Sequence, residues 1–291
     1  MGRVHDDEFD LTERFARYLL REEFPQWAEM PLIRVEPEGT DNVIFRLGDD
    51  LSLRLPRRKG PDEPGGKEFE WLPKLAPQLP LEIPVPVAQG HPTAEYPWFW
   101  DIYSWVEGET AAIESIDAIQ GARDLAALIA ALRQIDTTGA PRGRGIPLAE
   151  RDEEVRYWFA RFDGDPAVEA EWKRALGVPP WEGPPIWSHG DLDGRNWLVK
   201  DGRISGVIDW GSMGIGDPAC DVMVAWKLHS TAARDAFRAA LPTDDATWDR
   251  ARGWALSQAV AALAYYTPAT NPALYQEAGS WLELVMSERG R

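Results

Sequence analysis

Apolar side chains change their spacing twice within the first hundred residues. From Asp10 to Ala28 they recur at helical intervals (Leu11, Phe15, Leu19, Leu20), which predicts an amphipathic helix ending near Pro31. Alternation then takes over. Leu32 to Pro37, Val43 to Leu47 and Leu51 to Leu55 each read as half-buried strands, and Gly48-Asp49-Asp50 between the last two predicts a hairpin. A Gly/Pro-rich loop from Gly60 to Gly66 leads into a short helix from Lys67 to Leu75. In the run LPLEIPVPVAQG each proline pushes its predecessor out of the helical region, so that segment is extended. The aromatic stretch Trp98 to Trp105 is β-prone, and Val106-Glu107-Gly108 turns the chain.

Beyond that turn helices dominate. Ile116 to Ile135 predicts one long helix with Ile119, Leu125, Leu128, Ile129, Leu132 and Ile135 on one side. A loop with Gly139, Pro141, Gly143, Gly145 and Pro147 follows, then helices near Glu150 to Phe162 and Ala167 to Leu176. A β-rich segment, Ile186 to Trp210, interrupts them. From about Ala219 the pattern is helical again, with breaks at Pro242 and Thr267 to Pro272. The expected class is α+β and bilobal. A small β-rich N-terminal lobe (1–103) meets a larger, mainly helical C-terminal lobe (104–291) at a hinge near Ser104.

Composition narrows the function. The 291 residues hold 31 basic and 48 acidic side chains, a net charge of −17. Such a surface repels phosphate backbones and anionic headgroups, which argues against nucleic-acid and membrane partners and favours a cationic small molecule. Charge of this size also simply maintains solubility. The single cysteine, Cys220, excludes an internal disulfide framework and fits a reducing, cytoplasmic setting. The polar start MGRVHDDEFDLTERF lacks the apolar core of a signal peptide. A monomer or weak dimer is expected.

The chemistry is concentrated in Trp187-Ser188-His189-Gly190-Asp191-Leu192-Asp193-Gly194-Arg195-Asn196-Trp197 and in Ile208-Asp209-Trp210-Gly211, separated by a hairpin that turns at Lys200-Asp201-Gly202-Arg203. Two carboxylates and an amide oxygen thus fall at the ends of one strand–loop–strand unit. Phosphoryl transfer needs this kit: a carboxylate to take the hydroxyl proton, and hard oxygen ligands for Mg²⁺. His-Gly-Asp-x-x-x-x-Asn followed by Ile-Asp-Trp-Gly resembles the signature of the aminoglycoside phosphotransferase family, relatives of the protein kinases. Gly216-Asp217-Pro218-Ala219-Cys220-Asp221 matches a further motif of that family. The resemblance implies a kinase-like fold, Asp191 as catalytic base, Asn196 as a metal ligand and Asp209 as the main Mg²⁺ ligand. His189 reads as a core histidine bracing the loop. Gly190 stands where protein kinases carry Arg, which argues against control by activation-loop phosphorylation. Asp217 and Asp221 read as helix-capping acids.

The same resemblance assigns a nucleotide site to the N-terminal lobe. Arg54 stands on the third strand where Lys is expected; its neighbours Leu53 and Leu55 put it on the face opposite them. A guanidinium also grips phosphate, so Arg54 is the α/β-phosphate ligand, with Glu68 or else Glu70 as its partner. The turn Glu38-Gly39-Thr40-Asp41-Asn42 would cover the phosphates, with Thr40 as a donor. The backbone of Tyr103-Ser104-Trp105-Val106, at Ser104 and Val106, would meet the purine of ATP or GTP, with no preference between them.

Members of the family phosphorylate aminoglycosides, macrolides, choline, homoserine and fructosamines. The acidic surface favours an aminoglycoside, held by Asp193, by Glu153 and Glu154 beside Asp152, and by Glu277 or Glu283. Asp193 is equally well read as merely solvated. A macrolide would call instead on Trp254, Tyr265, Tyr266 and Trp281, which are more simply core. A metabolic kinase of an amino alcohol or sugar fits the same residues. A silent, kinase-like binding module finds support only in Arg54.

Overall fold

The computed structural model describes residues 11–36, 41–57, 66–110, 116–228 and 230–287. Two compact units divide the chain: Met1–Pro77 with Glu82–Glu107, and Gln78–Leu81 with Gly108–Arg291.

In the first unit, helix α1 (Glu13–Glu23) starts where Thr12 accepts the N–H of Phe15 at 3.2 Å and buries Ala16, Leu19 and Leu20. This satisfies one of the helix's orphan donors and fixes the start that periodicity placed two or three residues earlier. Five antiparallel strands follow in the order β1-β2-β3-β5-β4. They are β1 (Leu32–Arg34), β2 (Asn42–Leu47), β3 (Leu51–Pro56), β4 (Pro86–Gly90) and β5 (Trp100–Ser104), with helix α2 (Gly66–Leu75) between β3 and β4. Alternation turns Val43, Phe45, Leu47, Leu53 and Leu55 onto one face, where Leu19, Leu20, Trp100 and Ile102 complete a core. Each such side chain contributes about 1.5–3 kcal/mol by leaving water. The other face of β3 is left for polar work, and Arg54 stands on it.

The second unit is built around α8 (Asp245–Tyr265), which is buried nearly all round between Thr247 and Val260. A helix covered on every side cannot show a one-sided apolar stripe. Its two buried cations are matched by acids: Arg250 bonds Asp217 at 2.7 and 3.2 Å, and Arg252 pairs with Glu171. Around it lie α3 (Ala118–Leu132), α4 (Asp152–Phe159), α5 (Pro166–Leu176), α6 (Ala219–Val222), α7 (Thr231–Ala240) and α9 (Pro272–Ser287). Strands β6 (Glu109–Thr110), β8 (Trp197–Lys200) and β9 (Arg203–Val207) form one small sheet, and β7 (Ile186–Ser188) pairs with β10 (Gly214–Gly216).

One expected core residue is outside. Ile119 is 40% exposed, because it lies about 120° round the helix from Leu125; the buried stripe of α3 continues instead through Ala122 and Gly121. Trp254 and Trp281 are core, as expected, whereas Tyr265 is exposed and stands edge-on to Tyr266 and to Trp158. Among the described residues no helix is long and apolar enough to cross a membrane.

Candidate active site

In the second unit, β7 runs into His189-Gly190-Asp191, a 3-10 turn covers Gly194–Asn196, and the β8–β9 hairpin returns the chain to Asp209. Four hydrogen bonds close a ring through these segments. The Asp191 N–H donates to His189 Nδ1 (3.1 Å), and His189 Nε2 donates to the Ile208 carbonyl (3.0 Å). The Ile208 N–H donates to the Asn196 carbonyl (2.9 Å), and Asn196 Nδ2 donates to the Asp191 carbonyl (2.9 Å). Because Nδ1 accepts, the imidazole proton is assigned to Nε2, and His189 braces the loop with both ring nitrogens. The ring is buried and edge-on to Trp210, with centroids 4.6 Å apart.

Asp221 departs from the expected capping role. It lies inside α6, buried, and its two oxygens accept the N–H groups of His189 and Gly190, both at 2.8 Å. Burial pushes its carboxyl up; the His189 ring and these two bonds pull it back, leaving it above the ordinary range. Asp217 does cap, accepting the Ala219 N–H at 2.9 Å, and also grips Arg250. Gly190 is required where it stands. Its φ is +86°, and a Cβ there would lie 2.5 Å from the Ser212 carbonyl oxygen.

Asp209 is exposed and adopts φ +63° and ψ 64°, a left-handed conformation that is uncommon for a residue with a Cβ. Such strain, of order 1–3 kcal/mol, persists only when neighbours enforce it. Here both the N–H and the carbonyl of the preceding Ile208 are bound into the ring. Asn196 spends its amide nitrogen in that ring, so the oxygen is the side-chain atom it has to offer a cation. Among the described residues no group of three or more His, Cys, Asp or Glu could cage a metal. Mg²⁺ needs no cage: one or two protein oxygens suffice, with waters and substrate phosphates completing the octahedron. The donor set of Asn196 and Asp209 fits that ion.

The acids assigned to an acceptor fare differently. Asp193 is 1% exposed, neither solvated nor open to a substrate. It accepts from Arg195 Nε (2.7 Å) and Lys227 Nζ (3.1 Å), and Lys227 sits over the Trp281 ring. Burial opposes its charge, but the Lys227 ammonium and Arg195 override this and hold the carboxyl well below the usual range. Glu277 is half-buried on α9, and its charge favours Arg195, as do those of Asp193 and Asp191. Glu153 and Glu154 occupy the exposed first turn of α4, where acids suit the helix dipole; Glu154 pairs with Arg151 at 3.3 Å.

Sequence reading missed one neighbour of Asp191. Arg144 Nη1 donates to Asp191 Oδ1 at 2.7 Å. No motif marks it, and 47 residues separate the pair. The only local signal was the density of glycine around it.

In the first unit Arg54 is paired by Glu68, at 3.2 and 3.4 Å to the two oxygens, and Glu70 instead binds Lys74 at 3.0 Å on the surface. The Tyr103 hydroxyl donates to Glu68 at 3.4 Å, and its ring lies 5.9 Å beneath the guanidinium. Asp101 is the cross-strand partner of Arg54. Burial raises the Asp101 carboxyl, and Gln89 and Arg54 act against that rise. Ser104 is a strand residue whose N–H donates to the Val85 carbonyl at 2.8 Å, so it cannot offer that N–H to a purine. The Trp105 N–H is likewise bound, to the Asp50 carbonyl at 2.7 Å, and Val106 follows it, buried. Thr40 lies outside the described residues.

An antiparallel β-rich unit with an Arg–Glu pair, and a helical unit with a strand–loop–hairpin carrying Asp191, Asn196 and Asp209, define a kinase-like phosphotransferase. Residues 33–254 match the model of the phosphotransferase enzyme family, APH, and the chain belongs to that family. That family is one of phosphotransferase enzymes. A stretch of 38 residues is 58% identical to viomycin phosphotransferase of Streptomyces vinaceus, spanning 12% of this chain and 13% of that protein. Among solved structures, the GDP complex of wild-type aminoglycoside 2'-phosphotransferase-IIIa superposes with a TM-score of 0.70 at 17% identity, over 95% of this chain and 99% of that one. A macrolide 2'-phosphotransferase from Brachybacterium faecium gives 0.59 at 23% identity, over 86% and 91%. These structures share the fold.

Proposed function

We propose that this enzyme moves the γ-phosphate of ATP or GTP to a hydroxyl of a cationic small molecule of the aminoglycoside or viomycin type. The observation that supports the reading is the closed hydrogen-bonded ring that joins Asp191 and Asn196 to Ile208, the residue before Asp209. Asp191 accepts the acceptor's hydroxyl proton as its oxygen bonds to the γ-phosphorus and the nucleoside diphosphate leaves. Asn196 and Asp209 hold Mg²⁺. When bound, that ion neutralises charge on the phosphates. Arg54, kept in place by Glu68, grips the α- and β-phosphates, and the backbone of Val106 meets the purine. ATP and GTP abound in the cytoplasm, which suits that location.

The net charge of −17 and the viomycin phosphotransferase match support a cationic acceptor. A macrolide is the second reading, favoured by the exposed ring of Tyr265 and its edge-to-face run with Tyr266, Trp158 and Tyr157. The test is nucleotide consumption across viomycin, kanamycin, a macrolide, and amino alcohols and sugars, with ATP and GTP in parallel. Turnover of cationic antibiotics alone supports the first reading, and turnover of the macrolide alone supports the second. Turnover of amino alcohols or sugars alone points to a metabolic kinase, and silence with every acceptor overturns all of these.

A further inference from the structure

Arg144 reaches Asp191 through a construction that does not depend on its own side chain. The segment Pro141–Gly145 runs beside β10, bridged in parallel where Arg142 faces Ile215. Gly143 N–H donates to the Ile215 carbonyl (3.0 Å), Ile215 N–H to the Pro141 carbonyl (2.8 Å), and Asp217 N–H to the Gly145 carbonyl (2.8 Å). Two facing glycine pairs permit this approach. A Cβ on Gly214, whose φ is +151°, would lie 2.4 Å from the Gly143 nitrogen, and one on Gly216 would lie 2.3 Å from the Gly145 oxygen. On its other side β10 pairs with β7, the strand that delivers Asp191. The three segments converge on the Ser212 carbonyl, which accepts the Arg144 N–H at 3.2 Å and lies against Gly190.

A carboxylate that takes a proton from an alcohol must present one oxygen in one direction; a freely rotating Asp loses that orientation. Asp191 is about a third exposed, so burial does not fix its rotamer. Its backbone is fixed by the ring, and Asp221 holds the two residues before it, but those bonds do not touch the side chain. Among the described residues Arg144 is the hydrogen-bond donor to that side chain, at Oδ1, which leaves Oδ2 for the acceptor. A guanidinium pairs with a carboxylate in a defined plane, whereas a Lys ammonium has no such directionality.

We propose that Arg144 is a positioning residue for Asp191, holding its carboxylate so that one oxygen faces the acceptor hydroxyl. This rests on the assignment of Asp191 as base. The test uses the full chain and its R144A, R144K, D191N and R144A/D191N variants, with viomycin and kanamycin as acceptor probes. Hydrolysis of the nucleotide by water serves as an acceptor-free readout. R144A is expected to lower kcat about thirtyfold with the nucleotide KM within roughly threefold. R144K should recover part of the loss, and added guanidinium ion should partly rescue R144A. In the D191N background the same change should alter kcat less than about twofold, because a residue acting through Asp191 has nothing left to act on.

A kcat for R144A within twofold of wild type, or an equal loss in both backgrounds, overturns the proposal while leaving the base intact. Full activity of D191N overturns the assignment of the base, and the proposal with it. Failure of wild type to transfer phosphate to either probe or to water has the same consequence. A misfolded R144A transfers the decision to R144K, which must show reduced kcat at unchanged melting temperature; full kcat there counts against the proposal.

Discussion

The loop around Asp191 and the clamp around Arg54 both depend on charged side chains, yet they hold them in different ways. In the second unit the backbone at His189, Gly190, Asp191, Asn196 and Ile208 is bound by fixed partners, of which Asp221 and His189 are buried. In the first unit Arg54 and Glu68 form a partly exposed pair at 3.2 Å, steadied by Tyr103 and Asp101. The loop therefore fixes its backbone through a left-handed Gly190, where a Cβ would meet the Ser212 carbonyl, and a buried Asp221 that accepts two N–H groups. The clamp specifies only that a cation stand on the polar face of β3 with a carboxylate beside it.

Breaking the loop should therefore cost far more than altering the clamp. Asp209→Ala is expected to reduce turnover by about a thousandfold, and calorimetry should show weaker nucleotide binding in Mg²⁺ but little change in its absence. Unchanged metal dependence would remove Asp209 from the site. Asp193→Asn tests the support beneath the loop, since it leaves Lys227 buried without its counter-charge, at a cost of about 3 kcal/mol at neutral pH by denaturant unfolding. The folded-state carboxyl is held below its ordinary range, so its contribution is complete above the unfolded pKa of about 4. The gap between wild type and Asp193→Asn should narrow as the pH falls below that value; a gap independent of pH contradicts the pairing. The clamp effects are smaller. Arg54→Ala should raise the nucleotide KM about tenfold, with Arg54→Lys within about threefold of wild type and Glu70→Gln indistinguishable from it. Equal losses for Ala and Lys would mean that the fork, rather than the charge, matters.

What could be read from sequence tracks the range of each interaction. The hairpin of β2 and β3, the polar face carrying Arg54 and the Asp191/Asn196/Asp209 spacing are local patterns, and the architecture they predicted is the one observed. The choice of Glu68 over Glu70 needed only the direction of α2. Asp221 was misread because an acid near a helix start suggests a cap, whereas the N–H groups that donate to it lie 31 and 32 residues earlier. Asp193 reads in sequence as a substrate contact or a solvated acid, and is neither, because its buried partner, Lys227, is 34 residues away. Arg144 was invisible for the same reason, though the glycines that deliver it were noted as a loop. Ile119 failed through arithmetic of the helical turn, not through distance.

The central claim is that Asp191 takes the hydroxyl proton while the rest of the loop binds Mg-nucleotide without it. Single-turnover transfer to the acceptor, followed alongside calorimetric binding of the nucleotide, separates the two in Asp191→Ala. The account predicts a transfer rate lower by about a thousandfold or more and a nucleotide affinity within about threefold of wild type. Transfer at the wild-type rate, or loss of binding in step with loss of transfer, would contradict it.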